Sequence, residues 1–173
     1  MTDKPKVRGG IVGSGFAANL HYEGIQRVYG ADVDLVGIYS PTEANARRFA
    51  EPRRLRTFPS LNALLDEVDV VHVCASPAAH EAIAVSALKR GVHAVVEKPL
   101  TGWFGDGTAD FHVSGASMQR ALDGALASID RMLDAEAKSK AMILYAENWV
   151  YAPAIQKERD HREDRRTGAL DSW

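Results

Sequence analysis

The chain has 173 residues, of which 46% are hydrophobic and 25% charged, and its formal net charge is −2. This balance is typical of a globular protein and gives no reason to expect a nucleic acid or an anionic membrane as partner. No apolar run approaches the roughly 20 residues of a membrane span, and the amino terminus has no apolar signal core, so we expect a soluble, cytoplasmic protein. A single cysteine excludes an intrachain disulfide framework, and no metal site is predicted.

Five apolar segments have the length and composition of β-strands, and helical patterns separate them. Strands that alternate with helices predict parallel pairing through right-handed crossovers. The run V-D-V-V-H-V-C suits a sheet that is covered on both faces. We therefore predict an α/β fold, a doubly wound parallel sheet with flanking helices. The predicted strands are Lys6–Val12, Val33–Tyr39, Val68–Cys74, Val92–Glu97 and Ala141–Ala146.

Apolar residues at spacings of three and four mark the helices. A second helix is predicted over Thr42–Phe49 with Thr42 as its N-cap, a third over Leu61–Leu65, and a fourth over His80–Arg90. The face of the first helix consists of Ala17, Leu20, Gly24, Ile25 and Val28. The longest apolar stripe consists of Met118, Leu122, Ala125, Leu126, Ile129, Met132 and Leu133.

Two segments interrupt this order. Thr101–Ser117 contains four glycines without sustained periodicity, which predicts a loop. Lys157–Arg166 is almost entirely charged, and both a solvated helix and a disordered tail fit this composition. Acidic and basic residues are interleaved there, which argues against a nucleic-acid-binding arm.

The first predicted strand leads into a glycine turn and then into the first helix. Gly13, Gly15 and Ala18 fit the spacing G-x-G-x-x-A. The first glycine allows a tight turn, the second lets a diphosphate approach the backbone, and the small third residue lets helix and strand pack closely. Because a helix N-terminus offers amide donors to phosphate, the turn predicts binding of a nicotinamide dinucleotide. A glycine turn without a ligand is the alternative.

The segment after the second strand bears on the choice between NAD and NADP. NAD enzymes commonly place a carboxylate there, on the ribose diol. This chain has Tyr39-Ser40-Pro41-Thr42 instead, so no carboxylate stands there to repel a 2′-phosphate. The hydroxyls of Ser40 and Thr42 can donate hydrogen bonds, and Arg47 or Arg48 either lends charge or lies on the helix surface. The sequence favours NADP slightly over NAD.

Two further loops are expected at the same edge of the sheet, because the carboxyl ends of parallel strands line the ligand crevice. In the first loop, Ala75, Ser76 and Pro77 are predicted to wall the nicotinamide ribose. His80 either bonds a ligand or only neighbours the helix cap, and Cys74 is predicted to pack rather than act as a nucleophile.

The second loop begins with Glu97-Lys98-Pro99 at the end of a strand. Lys98 is the candidate catalytic residue, since a lysine can hydrogen-bond a substrate oxygen and burial can bring its pKa into the working range. A surface lysine before a turn is the alternative that the tripeptide alone would favour.

The glycine turn, then S-P-x-x-H opening a helix, then G-V-H-A-V-V-E-K-P, resemble the Gfo/Idh/MocA oxidoreductases in type and order. The resemblance covers about residues 6–155. It implies that Lys98 touches substrate and that the reaction is reversible hydride transfer between NAD(P) and a sugar or cyclitol-like alcohol. With the motifs above, it gives the predicted cofactor-binding set: Gly13, Ser14, Gly15, Phe16, Ala17, Ser40, Thr42, Ala75, Ser76, Pro77, His80, Glu97 and Lys98.

Members of this family carry a second domain with a large antiparallel sheet, which holds the catalytic histidine, most substrate contacts and usually the oligomer interface. We expect residues 1–146 to form the dinucleotide-binding domain and residues 147–173 to begin the crossing to a second domain that is missing. The polar end of the chain suggests a frameshift or a mispredicted gene end. Such a chain is expected to lack the oligomerisation surface and to be inactive alone; a non-enzymatic dinucleotide-binding module and a truncated remnant are the alternatives.

Overall fold

A computed structural model of the chain describes residues 4–105 and 115–166. Strands and helices alternate along it, with two short 3₁₀ helices at Glu51–Arg53 and Asn148–Tyr151. In chain order the elements are β1 (Lys6–Val12), α1 (Phe16–Ile25), β2 (Asp32–Tyr39), α2 (Glu43–Ala50), β3 (Arg56–Thr57), α3 (Leu61–Leu65), β4 (Val70–Val73), α4 (Pro77–Lys89), β5 (His93–Glu97), α5 (Gly115–Ala137), β6 (Ile143–Ala146) and α6 (Pro153–Arg166).

The described strands form one parallel sheet in the order β3-β2-β1-β4-β5-β6. The chain runs outward from β1 to β3, returns to pair β4 with β1, and continues outward to β6. This confirms the predicted doubly wound α/β sheet, which is Rossmann-like. All strands end at one edge, and the order reverses between β1 and β4, where such sheets bind ligands.

Alternate residues of β1 serve two cores, one on each face of the sheet. Val12 packs with α3, α4 and α5, whereas Ile11 packs with α1 and α2. Gly10 leaves room for α3, because a Cβ there would lie 2.8 Å from Cδ1 of Leu64. The end of β1 is therefore buried on both faces, which fits its apolar sequence. In β4 and β5 buried residues alternate with partly buried ones, so the predicted covering of both faces is incomplete there.

Local signals account for several helix ends. The Ser60 hydroxyl caps α3 by accepting a 3.1 Å hydrogen bond from the amide of Ala63. After α4, Gly91 has a φ of +71°, which fits a glycine C-terminal stop. Thr42 stands at the N-cap of α2 as predicted, but its side chain makes no capping hydrogen bond.

The helix α5 begins at Gly115, inside the segment that was predicted to be a loop, and residues 106–114 lie outside the described ranges. Met132 is buried against α4, and the hydroxyl of Thr101 donates a 2.6 Å hydrogen bond to Ser128. The rest of the predicted apolar stripe is less covered. About half of the side-chain surface is exposed at Met118, Leu122, Leu126 and Leu133.

After β6 the chain enters the second 3₁₀ helix and then α6, so the helical alternative for the charged segment is the one observed. Trp149 and Tyr151 are largely exposed in this part. The proposed boundary after residue 146 coincides with the end of β6, and the division into domains stays a prediction. None of the helices in the described ranges is long and apolar enough to cross a membrane.

Candidate functional site

The predicted site residues converge at the carboxyl edge of the sheet. The turns that follow β1, β2, β4 and β5 all lie there, because the strands are parallel. Gly13 and Lys98, which are more than 80 positions apart, thus lie at the same edge, with the loop after β4 between them. The fold brings together the loops that sequence reasoning assigned to one crevice.

The turn after β1 is packed tightly between two neighbouring strands. Gly13 has a φ of +105°, and its amide donates a 2.9 Å hydrogen bond to the carbonyl of Tyr39 at the end of β2. On the other side, a Cβ on Gly13 would lie 2.4 Å from the carbonyl oxygen of Cys74. Only glycine meets both conditions, so the backbone geometry of the turn depends on this residue.

Gly15 differs, because the space around it is open. It is the N-cap of α1, and a Cβ placed on it would meet nothing within 4 Å. The first-turn amides of a helix lack intrahelical acceptors, Gly15 has no side chain to cap them, and the first turn of α1 has no acidic residue. Open space beside free amide donors fits a diphosphate group.

A side-chain network holds the first turn of α1 in place. Asn19 donates a 3.0 Å hydrogen bond to the Gly15 carbonyl, and its own oxygen accepts one of 2.7 Å from Arg53. The Arg53 guanidinium stacks 4.1 Å from the ring centre of Phe49 in α2. Phe16, in contrast, is 79% exposed.

A pocket of about 380 Å³ lies at the end of β2, lined in part by Ser40, Pro41 and Glu43. The Ser14 hydroxyl donates a 3.3 Å hydrogen bond to that of Ser40, which joins this pocket to the glycine turn. Arg47 lies 2.5 Å from a Glu43 oxygen, and Arg48 donates to Asn45, so both pair within α2, which favours the helix-surface alternative over a contact with the cofactor. Glu43 therefore brings a carboxylate into this pocket, one residue after the segment 39–42, in which the sequence has none.

The loop after β4 joins the site to the core. Burial raises the pKa of the Cys74 thiol to about 12, with the charge of Glu97 adding to the effect, so this side chain packs and is not a nucleophile. The helix α4 begins at Pro77, three residues before the predicted start. Cys74, Ala75 and Ser76 therefore form the short connection between β4 and α4, with Ser76 as the N-cap.

His80 is fully buried and connects two loops. Its Nδ1 lies 3.0 Å from the carbonyl oxygen of Pro99, and its Nε2 lies 3.1 Å from that of Ala75. Both ring nitrogens thus face backbone carbonyls. Of the two predicted alternatives, this favours a role in fixing the loops over a direct bond to a ligand.

At the end of β5, one Glu97 oxygen accepts a 2.9 Å hydrogen bond from the Lys98 amide. The other lies 3.1 Å from Nε2 of His21 in α1, and Nδ1 of His21 lies 2.8 Å from Nδ1 of His72 in β4. The peptide bond between Lys98 and Pro99 is cis.

Sequence analysis found Glu97 and Lys98 but missed both histidines. A polar residue inside the apolar β4 run was the available signal for His72.

These groups stand at one end of a groove of about 710 Å³ that runs along α1 and over the face of β1, β4 and β5. Leu20, Val70 and Val95 form part of its apolar wall. Glu97, Lys98 and Asn148 line its polar end. The predicted catalytic lysine therefore borders a space that is large enough for a small ligand.

Relatives of known structure share this arrangement of elements. The chain is 36% identical over 95 residues to the UDP-N-acetylglucosamine 3-dehydrogenase of Acidithiobacillus ferrooxidans, a match that takes in 55% of this chain and 29% of that enzyme. The solved structure of the enzyme of that name from the same organism gives a TM-score of 0.70 at 24% identity, over 90% of this chain and 43% of that one. The WlbA dehydrogenase of Bordetella pertussis, solved with NADH and UDP-GlcNAcA, gives a TM-score of 0.75 at 19% identity, over 95% and 41%.

The chain spans less than half of the length of these relatives. At this level of identity, the structural likeness shows the fold alone. The family is shown by sequence, since the model of the Gfo/Idh/MocA oxidoreductase family with its NAD-binding Rossmann fold matches residues 7–109, more than half of the chain. The chain belongs to the Gfo/Idh/MocA oxidoreductase family and carries its NAD-binding Rossmann fold.

Proposed function

We propose that the chain binds NAD(P) along the carboxyl edge of its sheet, as the dinucleotide-binding part of an oxidoreductase acting on a sugar or cyclitol-like alcohol. The proposal rests mainly on the surroundings of Gly15: the space beside this residue is open, and no side chain caps the first-turn amides of α1 that adjoin it. The family match and the named sugar dehydrogenases among the relatives support the same class of reaction.

In this proposal the chain's residues divide the dinucleotide among them. Gly13, Ser14, Gly15, Phe16 and Ala17 hold the diphosphate. Ser40 and Thr42 face the adenosine ribose; Ala75, Ser76 and Pro77 form the middle wall, which His80 fixes from behind; Glu97 and Lys98 reach the nicotinamide ribose. The bound nicotinamide accepts or supplies the hydride.

Lys98 is the proposed catalytic residue. Its place beside the groove allows its ammonium group to donate a hydrogen bond to a substrate oxygen and to hold or release a proton at Nζ. Glu97, fixed at both oxygens, keeps the backbone at the start of this loop in one arrangement. The loop thereby presents the lysine from a rigid strand end.

We further propose a slight preference for NADP over NAD, on the hydroxyl of Ser40 and the lack of a carboxylate at positions 39–42. Glu43 acts against this preference, since it lines the pocket beside Ser40 and pairs with Arg47. The substitution Glu43→Gln should therefore tighten NADPH binding several-fold and leave NADH binding nearly unchanged. Equal effects on both nucleotides would contradict this arrangement of the ribose pocket.

The test of the dinucleotide site is a titration of the purified chain with NADH and NADPH, compared between Gly15→Val and Gly30→Val. Both glycines have open surroundings, so neither substitution should unfold the protein, which thermal unfolding checks. Gly15→Val should weaken binding at least tenfold, because its side chain occupies the space next to the amides. Failure of the unaltered, folded chain to bind either nucleotide at millimolar concentration would overturn the proposal.

We propose that the 173-residue chain binds dinucleotide without turning over substrate, since the groove beside Lys98 is open to solvent, with Leu20 and Tyr151 in its lining both more than half exposed. Incubation with NAD(P) and a panel of sugars and nucleotide sugars, followed at the absorbance of the reduced nicotinamide, tests this. Binding without reduction supports a dinucleotide-binding module, the second candidate function, and turnover of any polyol would refute the proposed inactivity.

A further inference from the structure

Three titratable side chains from three elements meet beside Lys98, and the proposed function uses only one of them. His21 lies between His72 and Glu97, with Nδ1 2.8 Å from Nδ1 of His72 and Nε2 3.1 Å from Oε1 of Glu97. The two rings are nearly perpendicular, with an interplanar angle of 81°. All three groups are largely removed from solvent, and the side-chain exposures of His21 and Glu97 are 11% and 16%.

The donors and acceptors of this cluster fit one direction of hydrogen bonding. An ionised carboxylate only accepts, so Nε2 of His21 must donate to Glu97. In a neutral ring Nδ1 of His21 is then a bare acceptor. Two ring nitrogens 2.8 Å apart share one proton, so Nδ1 of His72 donates it.

The surroundings favour the neutral form of His72. Burial is the main cause that lowers the pKa of His72 to about 4, and a proton on His21 would lower it further. The other titratable groups near Glu97 are Cys74, Lys98, Tyr145 and Glu147. Burial raises the pKa of the Cys74 thiol and of the Tyr145 hydroxyl, so both are uncharged at neutral pH.

We propose that His72 and His21 are positioning residues, a directed hydrogen-bond chain that holds the Glu97 carboxylate ready for the dinucleotide. The N–H at Nδ1 of His72 donates a hydrogen bond to Nδ1 of His21, and the N–H at Nε2 of His21 donates one to Glu97. The role in binding rests on the proposed function, in which Glu97 contacts the nicotinamide ribose. A carboxylate held at both oxygens has less rotamer freedom to lose when it engages a ribose hydroxyl.

The direction of the chain is tested without any ligand. In ¹⁵N-histidine-labelled protein at pH 7, nitrogen-detected NMR distinguishes protonated from bare ring nitrogens. We expect His72 to be protonated at Nδ1 and bare at Nε2, and His21 to be the opposite tautomer. A proton on Nδ1 of His21, in a neutral or a charged ring, would overturn the proposed direction.

The positioning role is tested by pairs of variants that differ in donor capacity. His21→Gln keeps an amide donor toward Glu97 and should bind NADH and NADPH within about threefold of the unaltered chain, whereas His21→Leu should bind both about tenfold more weakly. His72→Asn keeps an amide donor toward His21, whereas His72→Val removes it, so the same difference in nucleotide binding is expected between these two variants. This second pair tests the positioning role if His21→Leu fails to fold. If the folded apolar variants, which lack the donor, bind both nucleotides as tightly as the unaltered chain, the positioning role is refuted.

The two proposals fail in different ways. If the unaltered chain ignores both nucleotides, the dinucleotide proposal and the positioning role fall together, while the tautomers still decide whether the hydrogen-bond chain exists. If the nucleotides bind but the apolar and amide variants behave alike, only the positioning role falls.

Discussion

The substitution Gly13→Ala tests the geometry of the turn on which the site depends. Two independent costs are expected, because Gly13 has a φ of +105° and because the added Cβ would lie 2.4 Å from the carbonyl oxygen of Cys74 and 2.6 Å from its carbonyl carbon. The obstacle is backbone. Its position is fixed by the 2.8 Å hydrogen bond from the Cys74 amide to the carbonyl of Val12.

The two costs can be estimated separately. A side chain in such a backbone conformation costs about 1–3 kcal/mol. Displacement of well-packed backbone adds about 1–3 kcal/mol, by analogy with overpacked cores. The free energy of unfolding should therefore fall by about 4 kcal/mol, which for a chain of this size lowers the melting temperature by roughly 10 °C.

Two other glycines separate these costs in the same assay, guanidinium unfolding followed by circular dichroism. Gly91 has a φ of +71° but open surroundings, so Gly91→Ala carries only the conformational cost, about 1–2 kcal/mol. Gly24 lies within α1 and has neither problem, so Gly24→Ala should stabilise the protein by about 0.5–1 kcal/mol. If Gly13→Ala costs no more than Gly91→Ala, the close approach of the turn to β4 is wrong.

Two further predictions concern buried titratable groups. Because burial lowers the pKa of His72 to about 4 from 6.5, unfolded chains take up a proton over this range that the native state refuses. The stability contributed by neutral His72 is thus complete above pH 6.5 and falls by about 3 kcal/mol toward pH 4. The unfolding free energy of the unaltered chain minus that of His72→Val, measured at pH 7, 5 and 4, should therefore fall by about 3 kcal/mol, and a constant difference would contradict the burial of a neutral ring. The raised pKa of Cys74 predicts that iodoacetamide leaves the native thiol unmodified at pH 8 and alkylates it in urea, whereas rapid native alkylation would mean that the loop after β4 opens readily.

The sheet could be predicted from sequence because its central strands consist of apolar runs, whose residues are buried on one face and buried or partly buried on the other. β1 was predicted with its observed bounds, and the other four predicted strands overlap the observed ones. β3 was missed, since Arg56 and Thr57 are exposed and only two residues pair with β2. The strand β3 forms through tertiary contact, because Gly37 lets the backbones of β2 and β3 approach closely. The composition of the segment around Arg56 does not indicate this contact.

The same distinction holds at the site. The glycine turn and the segment around Lys98 could be found because each is a contiguous motif with its own backbone requirement. The pairing of His21 with His72 spans 51 positions and arises only when α1 crosses over β4. Likewise, the place of His80 in the helix was nearly right, but its contacts with Ala75 and Pro99 depend on two loops meeting.

The rigid and the open parts of this edge have different consequences for binding and for turnover. Gly13 is closed in by Tyr39 and Cys74, the loops after β4 and β5 are joined through His80, and Glu97 is held at both oxygens. A dinucleotide laid along this edge meets groups that are already in place, which reduces the ordering cost of binding. The groove beside Lys98 is built differently, since Leu20 in its wall and Tyr151 at its polar end are both more than half exposed. Hydride transfer needs a substrate held in register and shielded from water, so the described residues provide for cofactor binding much more fully than for catalysis.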